Sequence, residues 1–205
     1  MKLCKIIVIG FASLLAVATQ ASQEQLARSI RETQLETRRT DAQLKVTLAA
    51  INALTAQKEG DLRPAYSNYC AQVKGTEEAA RWNATRVQWM AVDGRRYFQE
   101  WQKTVDSIAN ESLRKKAQKR LDSVKASYDK VEGALKAAGE KFSPFLSDLG
   151  DIQKALAVDV TPGGVRSVRS SVRSANWNHQ YVDAAIKSAL KEMDRMEKAL
   201  SPKAR

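Results

Sequence analysis

From Gln23 onward, hydrophobic residues return every three or four positions, the period of a helix that buries one face. Leu26, Ile30, Leu44, Leu48, Ile51 and Leu54 mark the first stripe, with a polar stretch from Thr33 to Gln43 between its halves. Glu59-Gly60-Asp61 then supplies a stop, and Pro64 suits the opening turn of the next helix. In the second segment, steps of four and three place Tyr66, Cys70, Val73, Glu77, Ala80, Ala84, Val87, Ala91, Gly94, Phe98, Trp101, Val105 and Ile108 on one seam, with Glu77 its only charged member. The third segment is cleaner. Leu113, Ala117, Leu121, Val124, Tyr128, Val131, Leu135, Ala138, Phe142, Phe145, Leu149, Ile152 and Leu156 are thirteen successive apolar a/d positions, a seam of about 65 Å if straight. Pro144 removes a backbone donor within it and predicts a kink or interruption.

The stretch from Asp159 to Gly164 is the clearest loop, with Thr161 placed to cap the next helix and Pro162 to open it. The last segment repeats the heptad at Val165, Val168, Val172, Ala175, His179, Val182, Ile186, Ala189, Met193, Met196 and Leu200. These patterns predict an all-α fold of helices at 23–58, 63–110, 112–158 and 163–200. Short connections force antiparallel neighbours, so the expectation is an elongated antiparallel bundle of three to four long helices with coiled-coil heptads, forming a single domain over 22–205.

The N-terminus changes the picture of where such a bundle works. Lys2 and Lys5 precede an uncharged apolar run from Ile6 to Ala18, followed by small residues, which is the order of a secretory signal peptide. Thirteen apolar residues make a helix of about 20 Å, short of a hydrocarbon core of about 30 Å, so the reading is a cleaved leader over residues 1–21, cut after Ala21 with Ala18 as the alternative, rather than an anchor. Cys4 would leave with it. Cys70 then stands alone in an oxidising compartment, best read as a small buried residue, with an intermolecular disulfide as the alternative. Loss of Lys2 and Lys5 lowers the formal net charge from +11 to +9. For an exported chain the anionic partner this suits is lipid headgroup, envelope polymer or acidic protein rather than nucleic acid.

Motifs for catalysis, a cofactor or a metal are not legible. His179 is the single histidine and sits on the seam of the last helix, where a structural role is the simplest reading and a pH-sensitive packing role the alternative; Pro162-Gly163-Gly164 lacks the Gly-Lys-Ser/Thr of a phosphate loop. Glu77 reads as a seam intruder that reaches out past its neighbours or pairs with a base. Two surface features stand out as candidate contacts. Trp82 and Trp89 share the outermost heptad position with Arg86 between them, a pattern read first as covered by another helix and otherwise as a partner-binding face. Arg166, Arg169 and Arg173 form a stripe that Trp177 continues, and Arg114, Lys115, Lys116, Lys119 and Arg120 form a second basic cluster. Both clusters suit a solvated face or an anionic surface.

The segments Phe98-Gln99-Glu100-Trp101 and Ile108-Ala109-Asn110-Glu111-Ser112-Leu113-Arg114, then Tyr128-Asp129 and the seam from Phe142 to Leu156, resemble a family of bacterial exported, helical coiled-coil proteins grouped as a domain of unknown function. The resemblance covers roughly residues 35–200 and implies export and an all-helical fold. Many members carry a lipoprotein signal; this chain has no cysteine at the processing site, so it is expected to be periplasmic and not lipid-anchored. The family brings no catalytic residues. The expectation is therefore a non-enzymatic interaction or scaffold protein of the bacterial envelope, with a binder of anionic envelope surfaces or a holdase-type chaperone as alternatives, and with self-association through the heptad seams open.

Overall fold

In the computed structural model, which describes the backbone of residues 3–201 and the side chains of residues 18–201, four helices follow one another: α1 Leu3–Ala56, α2 Arg63–Asp106, α3 Glu111–Val158 and α4 Pro162–Leu200. The side chains of most of the expected leader lie outside the described residues. Among those described there is no strand, and no helix is long and apolar enough to cross a membrane.

The connections follow from local chemistry. Gly60 has φ of 90°, a left-handed conformation that a Cβ disfavours, and it turns the chain after α1. Asp61 Oδ1 accepts the Arg63 amide at 3.0 Å and so satisfies one free donor at the start of α2. Asn110 Oδ1 accepts the Leu113 amide at 3.0 Å and caps α3, and α2 stops at Asp106 rather than running on to Asn110. Thr161 Oγ1 accepts the Gly164 amide at 3.3 Å, with Pro162 as the first residue of α4, as its position in the sequence suggests. α3 continues through Pro144 without interruption.

The helices form a bundle of two compact units, and each unit takes a segment of all four. In the first (1–34, 86–133 and 191–205), the core is Leu26, Ile30, Met90, Tyr97, Phe98, Leu121, Val124, Tyr128, Val131, Met193 and Met196, all buried. Tyr128 donates to the Met90 carbonyl at 3.0 Å and ties α3 to α2. In the second (35–85 and 134–190), Leu44, Ile51, Leu54, Leu62, Tyr69, Leu149, Leu156 and Val165 lie at the centre of a continuous apolar cluster. There Tyr69 donates to the Leu149 carbonyl at 2.7 Å and Tyr66 to the Gln153 carbonyl at 3.1 Å.

The buried faces of α1 and α2 differ from the apolar pattern. The polar stretch of α1 is not a break in the buried stripe: Thr33, Thr37, Thr40 and Thr47 occupy the seam itself and are buried. Each hydroxyl is satisfied, for example Thr40 on the carbonyls of Glu36 and Ala79, and Thr47 on the Gln72 carbonyl with the Thr76 hydroxyl at 2.7 Å. On α2 the register is displaced by one residue at alternate positions. Tyr69, Thr76, Met90 and Tyr97 are buried, while Glu77 and Ala84 are exposed and Cys70 is half-buried. Glu77 is thus a surface residue. Leu113, at the start of the α3 seam, is 56% exposed.

Candidate functional site

The surface residues nominated by the sequence fall in both units. In the first, Trp89 is 49% exposed and Arg86 lies over its ring, 4.8 Å from the centroid. Arg86 also pairs with Glu32 of α1 at 2.7 Å, so the guanidinium is held between a carboxylate and an indole face. Val92, one turn from Trp89, is also exposed. In the second unit Trp82 is 60% exposed and Leu35 of α1 stands open as well. The bundle therefore does not cover these indoles. The displaced register of α2 moves them from the outermost heptad position to the next one round the helix, which still faces away from the core.

Arg166, Arg169, Arg173 and Trp177 are all exposed along one face of α4 in the second unit, and Tyr181, one turn on, extends the aromatic end. Arg169 is partly committed: its guanidinium donates to the Thr55 carbonyl at 3.2 Å, in the last turn of α1, where the helix dipole favours a cation. In the first unit Arg114, Lys115, Lys116, Lys119 and Arg120 are exposed at the start of α3, with Lys115 paired to Glu111 at 2.7 Å.

A third constellation was not legible in the sequence. In the second unit, Asp41 of α1 meets His179 and Asp183 of α4, with one ligating atom of each within 4.8 Å of the others. His179 holds a seam position between Ala175 and Val182, and its half-buried imidazole packs with its ring 6.3 Å from that of Phe145. Asp183 lies one turn further on the same face. Lys45 bridges the two carboxylates, 2.6 Å from Asp41 and 3.5 Å from Asp183, and Lys187 takes the other oxygen of Asp183 at 2.6 Å. The Lys187 hydrogen bond holds the Asp183 carboxyl below its ordinary range, and the Asp41 hydrogen bond raises the Lys45 ammonium. The signal the sequence offers for it is the His179-x-x-x-Asp183 spacing, which puts two donors on one helix face and went unread; Asp41 is distant in the chain and reaches them only through the α1–α4 pairing.

These features define an all-α bundle protein whose polar groups are gathered on helix faces and helix-helix seams. The chain belongs to the family described as protein of unknown function (DUF2959), whose profile matches residues 17–200. No curated protein and no solved structure matches it.

Proposed function

We propose that this protein is a non-enzymatic interaction or scaffold module of the bacterial envelope, exported to the periplasm and recognising a protein partner through the exposed tryptophan and arginine side chains of α2. The observation that carries this reading is the exposure of Trp82 and Trp89, with Arg86 stacked on Trp89. Indole and guanidinium are the groups most enriched among residues that dominate binding energy, and a partner could bury the half or so of each indole that the bundle leaves in water. The leader-like composition of residues 1–21 supports export.

The test is site-specific photocrosslinking in cells, with a photoreactive residue at position 82 or 89 and controls at the exposed positions Ser123 and Lys136. A discrete adduct at 82 and 89 that the controls lack supports the reading; adducts no different from the controls overturn it. Cell fractionation with amino-terminal sequencing tests export: a chain beginning near Ser22 in the periplasmic fraction supports it, and a chain found only in the cytoplasm with Met1 retained would remove the periplasm from the proposal.

A second reading, binding to anionic lipid or polymer, is favoured by the exposed Arg166, Arg169 and Arg173 stripe. Co-sedimentation with anionic vesicles at low salt that is lost on replacing all three by Glu supports it. Binding indifferent to those replacements excludes it.

A further inference from the structure

We infer that Asp41, His179 and Asp183 form a binding site for a divalent first-row transition-metal ion, which would join α1 to α4 by exchanging with the ammonium of Lys45. Four observations converge on it. The donor set is one imidazole and two carboxylates, a combination that suits zinc and its neighbours in the series. The donors lie within 4.8 Å of one another, and a tetrahedral ion with bonds of about 2.0–2.2 Å needs them about 3.3–3.6 Å apart, a closure of about one ångström. Side-chain rotation can supply this.

The third observation concerns unpaired atoms. Among the described residues, three buried side-chain polar atoms make no hydrogen bond to protein: Asp41 Oδ1, His179 Nε2 and Glu100 Oε2. Two of the three belong to this cluster. Buried polar atoms are nearly always paired, because an unsatisfied one sacrifices its hydration, and an acceptor oxygen and an imidazole nitrogen left over in one cluster are groups that a bound ion would satisfy. The Asp41 and Asp183 side chains are only 18% and 20% exposed, which separates the cluster from the solvated acidic groups common on protein surfaces.

The fourth is charge. Lys45 and Lys187 neutralise the two carboxylates, and one divalent ion does the same. Both lysines have a route out, since their side chains are 50% and 70% exposed and can return their ammonium groups to water. Lys45 thus acts as a built-in competitor. It keeps the carboxylates balanced when no metal is bound and weakens metal affinity in proportion to its own hold on them.

The test uses untagged, chelator-treated protein, with zinc chloride titrated calorimetrically, manganese and magnesium chloride run as comparisons, and thermal melting in parallel. The expected result is one zinc ion per chain, a higher melting temperature in zinc, and weak binding of magnesium. His179→Ala and Asp41→Asn should each weaken zinc binding by at least about tenfold. Lys45→Met, which removes no ligand and alters a half-exposed side chain, should tighten it several-fold. Binding that persists undiminished in His179→Ala, or that Lys45→Met does not strengthen, would overturn the inference, as would the absence of zinc binding in both the wild-type chain and Lys45→Met. Circular dichroism of each variant separates lost binding from lost structure.

Discussion

Gly94 of α2 lies directly against the ring of Tyr128 of α3: a Cβ at position 94 would come within 2.5 Å of both the Cζ carbon and the hydroxyl of that tyrosine. The ring cannot simply swing aside. It is buried, packed 5.5 Å from Phe98, and its hydroxyl is anchored on the Met90 carbonyl. Gly94→Ala should therefore destabilise the protein by about 1–3 kcal/mol despite the better helix propensity of alanine. Urea denaturation of the purified variant checks this, and pairing Gly94→Ala with Tyr128→Leu should recover part of the loss, since the two residues share one space.

The four helices differ in how plainly the sequence marks their seams. On α3 and α4 the apolar residues occupy nearly every a and d position, so pattern alone identifies the buried face, and all the seam residues of α4 except His179 are buried as expected. On α2 the true seam keeps Val73, Gly94 and Val105 but passes through Tyr69, Thr76 and Met90, while Cys70, Ala84 and Ala91 offer an apolar path one residue along, broken by Glu77. A threonine at a core position, with small apolar residues on its flank, suffices to move the apparent stripe by one residue at alternate positions. On α1 the buried threonines look like a surface stretch, because hydrophobicity does not record that a hydroxyl can be satisfied by helix carbonyls.

These threonines make a distinct prediction. Thr47 and Thr76 face each other at 2.7 Å, and both hydroxyls also reach the Gln72 carbonyl. Valine has nearly the same shape, so replacing both removes two buried hydroxyls together and leaves no cavity. The double variant Thr47→Val/Thr76→Val should keep stability within about 1 kcal/mol of wild type or raise it, whereas Thr47→Ala, which opens space, should lose about 1–2 kcal/mol. Chemical denaturation of the three proteins discriminates between hydroxyls that add stability and hydroxyls that fix which faces pair.

The candidate metal cluster illustrates another limit. His179 and Asp183 could be seen to share a face, but their partner comes from another helix, and the register of α1 against α4 is a tertiary property. It is set by contacts such as the Asn52–Asn176 pair, at 2.8 and 3.0 Å, and Gln34 on Asp194 at 2.7 Å. Polar pairs of this kind carry no periodic signal. The exposed tryptophans were legible as residues of interest; their exposure was not, because whether another helix covers an outward face is a tertiary property.

Buried tyrosines predict an alkaline limit to stability. Burial pushes the Tyr97 phenol from 10.0 up to about 12 and raises those of Tyr69 and Tyr128 as well. In the unfolded chain these phenols ionise near 10, so above that pH the unfolded state binds fewer protons than the folded one. Stability is therefore undiminished by these groups below about pH 10 and falls as pH rises from there towards 12. Thermal melting across that window should show a progressive drop, with tyrosinate absorbance developing together with the loss of helical signal. Retention of the full helical signal while all five tyrosines ionise would contradict the account.

The exposed indoles give the sharpest contrast between stability and recognition. Trp82, Trp89 and Trp177 contribute little to packing in the isolated chain, since Trp82 and Trp177 are each 60% exposed and Trp89 49%. Trp82→Gln and Trp177→Gln should shift stability by no more than about 0.5 kcal/mol. Trp89→Gln also removes the surface on which Arg86 stacks and should cost about 0.5–1 kcal/mol, with Arg86 still held by Glu32. Thermal melts establish these values. If the three variants melt within these margins and Trp82→Gln and Trp89→Gln nonetheless lose the crosslinked partner, the indoles serve recognition; a large fall in melting temperature would show instead that they hold the bundle together.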